Sequence, residues 1–454
     1  LENHISDTLE LYDGSQIAVI GGGPAGSFFT YFTLDLADRY GIDINIDIIE
    51  GKDFTCTGPS GCNHCGGIIS ESLVQHLATE GINIPSNVIR RGIESYTLHL
   101  ENGRTVIETP LKEQRIASVY RGFGPKGSLL NDYESFDNFL LQLCKKNGAN
   151  LIQDRVISLE RDHDGIILKT KNSEGKKYDL VVGAVGLNKP TLELFKSVCP
   201  TYQLPQITKT FICELYLEPA LIDAYFGHSM HVFLLNLPNI KFGALIPKGS
   251  YVTLVLLGNE INKKVVERFL GSAPVQKCFP PGTDINSIMP CQCYPTININ
   301  SAKTAYADRV VLIGDSSTSK LYKNGIGAAY ITSKAAAKTV IFQGISENDF
   351  RKYYDPVCKK LDLDNRIGKG IFGLTNIIQK SRILKTGLYS MVVREQKKEN
   401  DKRRMSSILW DTFTGSAPYA DIFKRGLHPM VPISLLWNSL TGKLNGVKQQ
   451  KNGK

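Results

Sequence analysis

Apolar residues along the chain follow two rhythms. Dense apolar runs mark strands buried on both faces, and apolar residues three and four apart mark helices. The first dense run, IAVI at 17–20, is followed by helical spacing over 24–40 and a second apolar run, INIDII, at 44–49. The chain therefore opens as strand, helix, strand. Residues 95–100 and 104–109 alternate around Asn102-Gly103, which predicts a hairpin. A strand is predicted at 115–122, a helix at 136–147 and strands at 151–160 and 165–170. YDLVVGAVG at 178–186 and RVVLIG at 309–314 predict two further buried strands. Between them, 208–217, 231–235, 241–247 and 251–258 all predict strands. A helix follows at 327–343. Beyond Gly344 the chain turns helical, with Ile367, Ile371, Leu374 and Ile378 recurring on one face.

This order reads as a nucleotide-type unit, an insertion, a return strand, a strand-rich insertion, and a second return strand with its helix. It predicts the α/β class: a discontinuous Rossmann-like domain, an inserted antiparallel-sheet domain and a helical C-terminal region. The turn after the first strand carries the chemistry. Gly21, Gly23 and Gly26 form G-x-G-x-x-G, with Ala25 inside the motif. The first glycine allows the tight turn, the second lets backbone approach a pyrophosphate, and the third lets helix pack on strand. The helix from about Pro24 would aim its N–H groups at that pyrophosphate. Glu50, ending the second strand, suits the ribose hydroxyls of an adenosine. The motif by itself does not separate NAD from FAD.

Composition narrows the class. In 454 residues, 42% are hydrophobic and 21% charged, as in a soluble globular protein of one large or two ordinary domains. No run of about 20 apolar residues predicts a spanning helix. Ten cysteines are scattered, which favours a reducing, cytoplasmic setting. The net charge is +9, and residues 394–454 hold 12 Lys/Arg against 5 Asp/Glu, or +7 of it. No helix-turn-helix, zinc-finger or RNP pattern accompanies this charge, so nucleic acid is not an expected partner. An anionic membrane surface and a solvated basic tail both remain open. The segment LHPMVPISLLWNSL at 427–440 has an apolar face and basic neighbours, and would either lie in a membrane interface or pack on the core.

A Gly- and Cys-rich loop, FTCTGPSGCNHCGGIIS, occupies 54–70. Cys56, Cys62, His64 and Cys65 are ligand types for zinc, yet one CxxC lacks a second ligand pair, and no metal is expected there. A redox dithiol and a lone functional thiol at Cys65 are the other readings.

Three separated segments resemble the FAD-dependent oxidoreductases of the aromatic-hydroxylase-like class. They are the glycine motif with Glu50, the DLVVGAVG strand, and RVVLIGDSS followed by NGIGAAYITSKAAA. The resemblance implies FAD as cofactor, with Gly314 and Asp315 at the ribityl chain and Gly325, Ile326 and Gly327 along the isoalloxazine. Within that class, Cys65-Gly66-Gly67-Ile68-Ile69-Ser70 resembles the C-G-G-x-x-S loop of the geranylgeranyl reductase family, which reduces double bonds of polyprenyl chains. It implies a loop beside the flavin, with Gly66 and Gly67 at the cofactor and Cys65 and His64 as proton-donor candidates. Arg121, ending a strand in a Gly-rich loop, would reach an anionic part of the cofactor. The family's Y-x-W-x-F-P segment corresponds to residues 242–247, where only Phe242 and Pro247 persist; with Tyr322 these are the expected substrate contacts.

On this resemblance the FAD domain comprises 15–94, 131–190 and 301–345. The substrate domain comprises 95–130 and 191–300, and 346–454 is a basic helical region. The reaction implied is reduction of carbon–carbon double bonds in a hydrophobic isoprenoid lipid, with NAD(P)H or ferredoxin as electron donor, by an enzyme peripheral to the cytoplasmic face of a membrane. The alternatives are a flavin monooxygenase and a non-catalytic flavin- or lipid-binding protein.

Overall fold

The computed structural model describes residues 9–109, 113–125, 133–397 and 403–451, with side chains to residue 441. The charge run at 394–404 therefore lies partly outside the described residues. The chain divides into two compact units. The first comprises residues 1–63, 121–207 and 297–363, and the second 64–120, 208–296 and 364–454.

The first unit is built on a six-stranded sheet. Its order is Tyr306–Ala307, Val310–Leu312, Leu180–Gly183, Ser15–Ile20, Ile44–Ile49 and Asn150–Ile152. All pairings are parallel except the outermost hairpin of Tyr306–Ala307 with Val310–Leu312. The register sets Ile17 beside Leu180 and Val19 beside Ile48, so the dense apolar runs become the central ladder. Apart from the exposed Asn45 those runs are buried, as strands covered on both faces must be. The helices Pro24–Tyr40 and Gly325–Phe342 pack together through Phe28 and Phe32, each edge-on to Tyr330. The helix Phe136–Lys146 starts at Ser135, whose hydroxyl accepts the Asn138 N–H. The first return strand thus pairs with the opening strand and the second pairs with the first return strand, and the α/β class and discontinuous first domain stand.

The second unit carries a seven-stranded sheet. Its order is Cys291–Cys293, Phe211–Tyr216, Tyr251–Gly258, Ile240–Lys248, Ser229–Phe233, Ser95–Leu100 and Gly103–Glu108. The hairpin at Asn102-Gly103 forms, with Leu100 opposite Gly103. Phe211, Leu245, Leu254, Phe269 and Phe279 belong to its core. A small sheet of Ile68–Ile69, Ile116–Val119 and Ile89–Ile93 adjoins it. This pairing corrects one boundary. Residues 64–94, expected in the nucleotide domain, belong to the second unit, because Ile68 and Ile69 pair with Ser118 and Ala117. Likewise 346–454 is not one region, since the chain passes from the first unit to the second at 363/364.

The C-terminal helices bury Leu388, Val392, Phe413 and Ile422, but part of their surface departs from the expected polarity. In Asp355–Lys380 the inward positions are Leu361, Asn365, Gly368, Phe372 and Gln379, while Leu374 and Ile377 point to solvent. Gly368 is inward because Tyr419 packs on it; a Cβ there would lie 2.6 Å from Tyr419 Cδ2. In the last helix, Met430–Lys451, Asn438 and Ser439 are buried. Ser439 lies against Gly387 of the helix Arg382–Lys397, where a Cβ would come within 2.0 Å of its Oγ. Leu427, Met430, Ile433, Leu436, Trp437 and Leu440 are instead 49 to 68% exposed.

Candidate functional site

The glycine motif folds as its spacing predicts. Gly21 takes φ +105°, a conformation L side chains avoid, and its N–H donates to the Ile49 carbonyl at 2.9 Å. A Cβ on Gly26 would stand 1.9 Å from the Gly21 carbonyl oxygen, so helix and turn touch backbone to backbone. Gly23 is different. A Cβ there would meet nothing closer than Arg121 Nη2 at 3.4 Å, with Asn63 Nδ2 at 3.8 Å and Asp137 Oδ2 at 4.0 Å. The second glycine thus opens onto a small polar cradle, the place where the motif brings backbone to a pyrophosphate.

That cradle is held by buried charge. Asp137 is fully buried at the start of the helix Phe136–Lys146 and takes both Arg121 donors, Nε at 2.9 Å and Nη2 at 3.0 Å. Asn63 Nδ2 also donates to Asp137. Bidentate pairing fixes the guanidinium plane beside Gly23. Glu50 accepts the Gly22 N–H and the Lys52 N–H, each at 2.8 Å, one on each carboxylate oxygen. Burial raises its pKa, opposed by those two bonds and by the Lys52 charge. Each oxygen retains acceptor capacity for a hydroxyl.

The GD segment meets the same turn. Gly314, at φ +60°, would place a Cβ 2.8 Å from the Ala25 side chain, and its N–H donates to Thr332 Oγ1 at 3.0 Å. Ser333 Oγ donates to the Ala25 carbonyl at 2.7 Å. Burial raises the Asp315 pKa, against a Ser319 hydrogen bond and the Arg121 charge. The space above Gly325 is bounded by Ser319 Oγ and by Asp315 Oδ1, 3.6 and 4.0 Å from where its Cβ would be. Asn324, at φ +51°, caps the helix by accepting the Gly327 N–H at 2.9 Å, and Ile326 is buried. Gly21, Gly23, Ala25, Gly26, Glu50, Arg121, Gly314, Asp315, Gly325, Ile326, Gly327 and Tyr322 all lie in the first unit.

His64, Cys65, Gly66 and Gly67 lie in the second unit. His64 has φ +49°, and Cys65 Sγ accepts the Gly67 N–H at 3.4 Å. The Gly67 carbonyl accepts the Val119 N–H at 2.8 Å, and Gly66 faces Val255 and Ile246. Phe242 is buried, stacked on Phe372 at 6.0 Å and edge-on to Phe413 at 5.5 Å. The Pro247 carbonyl accepts the Ser118 hydroxyl at 3.0 Å.

Beneath the CGG loop sits a charged cluster that the sequence pattern did not single out. Lys248 is 1% exposed, and its Nζ lies 2.9 Å from where a Gly67 Cβ would be. It stands 4.0 Å from Glu214 and 4.8 Å above the Tyr120 ring. Arg90 covers the same ring at 5.1 Å. The Thr253 hydroxyl donates to the Glu214 carboxylate, at 2.9 and 2.8 Å from its two oxygens. Burial raises the Glu214 pKa, with Lys248 and Thr253 opposing it. The available signal was a lysine beside Pro247 at the end of an apolar strand.

None of the ten cysteines forms a disulfide. Among the described residues, one group brings three potential metal ligands together, and it is His99, His231 and Cys278 rather than the 54–70 loop.

No family model matches the chain, and no curated protein matches it. Solved structures do. A geranylgeranyl bacteriochlorophyll reductase-like protein of Thermoplasma acidophilum is 16% identical over 92% of this chain and 99% of that one, with a TM-score of 0.63. Klebsiella pneumoniae HpxO, complexed with FAD and uric acid, is 15% identical over 89% and 97%, with a TM-score of 0.56. Tetracycline destructase Tet(51) is 14% identical over 89% and 99%, with a TM-score of 0.51. The chain therefore has the fold of these oxidoreductases.

Proposed function

We propose that the chain is an FAD-dependent oxidoreductase that reduces carbon–carbon double bonds of a polyprenyl, geranylgeranyl-type lipid. The cradle at Gly23 is the observation that supports a bound dinucleotide. The Gly23 backbone faces open space that a side chain would occupy, and Arg121 stands beside it with its plane fixed by Asp137. Glu50 would hold the adenosine ribose, Asp315 the ribityl chain, and Gly325, Ile326 and Gly327 the ring system. Bound there, FAD supplies hydride transfer. The chain's own contribution is to orient the substrate, exclude water and deliver a proton to the second carbon. Cys65 and His64 are the proposed proton donors, with Lys248 and Glu214 positioning their loop from below. Phe242 acts through packing against Phe372 and Phe413.

A lipid substrate is supported by the second unit's exposed apolar face. Leu427, Met430, Ile433, Leu436, Trp437 and Leu440 offer roughly 1 kcal/mol each on transfer from water. The charge of +7 over 394–454 suits an anionic surface. No described helix is long and apolar enough to cross a membrane, so the proposed association is interfacial. The electron donor would be NAD(P)H or ferredoxin.

A flavin monooxygenase is the second reading, supported by the likeness to HpxO and the destructase. Anaerobic turnover separates the two. The reduced protein is mixed with a geranylgeranyl lipid in anionic vesicles. Flavin reoxidation with gain of two hydrogens per double bond is expected. A reaction that needs oxygen and yields a hydroxylated product would instead assign the monooxygenase.

A further inference from the structure

Among the described residues, the one group of three potential metal ligands has no role in the proposed reaction. His99 on the strand Ser95–Leu100, His231 on Ser229–Phe233 and Cys278 after the helix Ala273–Gln276 converge inside the second unit. All three are buried. Two adjacent parallel strands set the histidines on one face: His99 pairs with Phe233 and His231 with Thr97, two positions along. The Cys278 sulfur lies 3.4 Å from His231 Nδ1 and 3.8 Å from His99 Nε2, and the three ligand atoms lie within 4.8 Å of one another. Three ligands around one ion, with bonds of about 2.3 Å to sulfur and about 2.0 Å to nitrogen, place sulfur and nitrogen about 3.5–3.8 Å apart.

We propose that His99, His231 and Cys278 form a binding site for a single soft monovalent cation, a cuprous ion. Thiolate and imidazole are the donor types for such an ion. Charge decides against a divalent one. One thiolate and two neutral imidazoles carry a single negative charge, which a monovalent ion cancels and a divalent ion overshoots.

The surroundings cannot absorb the surplus. Phe226 and Phe233 lie on the two imidazoles, with ring centroids 4.8 and 4.4 Å away, and Phe279 packs on Phe226. The charged neighbour across the ladder from His99 is Arg104, a cation. A net positive charge in that apolar core would be uncompensated.

Binding exchanges one proton. The Cys278 thiol points at the Pro274 carbonyl, 3.3 Å away, which leaves the sulfur lone pairs toward the imidazole nitrogens. The S–H bond breaks, the proton leaves to solvent and a sulfur–copper bond forms, with no change of oxidation state.

The test uses the full chain, purified without oxygen and titrated with Cu(I) buffered by bathocuproine disulfonate. X-ray absorption on the one-to-one complex should show one sulfur and two nitrogen neighbours. Cys278→Ala should weaken binding at least 100-fold. A sulfur-only shell would place the ion on the other thiols and overturn the site, as would equal affinity in Cys278→Ala. Zn(II) binding as tightly as Cu(I) would overturn the charge argument. If Cys278→Ala does not fold, the wild-type absorption spectrum decides alone.

Discussion

The sheet of the first unit and the outer face of the last helix treat their apolar residues in opposite ways, while Leu388, Val392, Phe413 and Ile422 of the neighbouring C-terminal helices are buried as usual. In the first unit Ile17, Val19, Ile46 and Ile48 are apolar and buried, and the polar features lie at the turn. In the last helix Ser439 and Asn438 face inward, while Leu436, Trp437 and Leu440 face out. A fold that had only to be stable would not expose large side chains in this arrangement, because each could contribute by burial. The contrast separates a surface shaped by folding from one shaped by what it meets.

Four substitutions or conditions probe the contrast, beginning with the largest effect. Lys248→Met should destabilise the second unit by about 3–5 kcal/mol, since it leaves the Glu214 carboxylate buried without its cation. Adding Glu214→Gln should recover much of this, as read by denaturant unfolding. A full loss in the double variant would show that Lys248 acts by packing alone. Gly26→Ala should cost about 3 kcal/mol or more through its clash with the Gly21 carbonyl, and soluble yield should fall accordingly. Normal yield and stability would mean the helix and turn are not in contact.

Acid should act on the sheet of the second unit. Burial holds His99 down at about 4, from an ordinary value of 6.5. A base with a depressed folded pKa stabilises the fold fully above pH 6.5. The contribution fades as pH falls toward 4, where the unfolded chain binds a proton the folded chain refuses. The loss is roughly 3 kcal/mol by pH 4. His99→Phe should reduce the pH slope of unfolding between those values without abolishing it, because burial also depresses the neighbouring His231; an unchanged slope would rule out the His99 contribution.

The smallest effect on stability is expected at the outward face. The triple change of Leu436, Trp437 and Leu440 to Ser should move unfolding by about 0.5 kcal/mol or less. Flotation with anionic vesicles should nevertheless fall at least tenfold. Loss of stability with unchanged flotation would make these helices ordinary core.

Legibility in the sequence follows the same division. The nucleotide unit was readable because its determinants are backbone ones. Residues 44–49 and 136–147 became strand and helix almost to the residue, and the glycines fell where φ and contact require them. The placement of 64–94 was not readable, because it depends on two residues, Ile68 and Ile69, pairing almost fifty positions away. The stripe of Ile367, Ile371, Leu374 and Ile378 identified a helix, but periodicity shows where the apolar stripe is and not which way it faces. Phe372 and Gly368 took the inward positions because Tyr419 packs there. Lys248, Glu214, His99 and His231 sit at inward positions of apolar strands, where nothing local distinguishes a functional polar residue from a neutralised one.

Flavin binding compared between the wild type and Gly23→Ala probes whether the Gly23 turn holds a dinucleotide. A Cβ at Gly23 meets no atom within 3.4 Å, so the variant should fold with an unchanged melting temperature. It would, however, put a methyl group where the dinucleotide backbone contact is proposed. The account predicts one FAD per wild-type chain and at least tenfold weaker binding in Gly23→Ala at equal stability. A wild type that binds no FAD, or a variant that binds it equally well, would contradict the account.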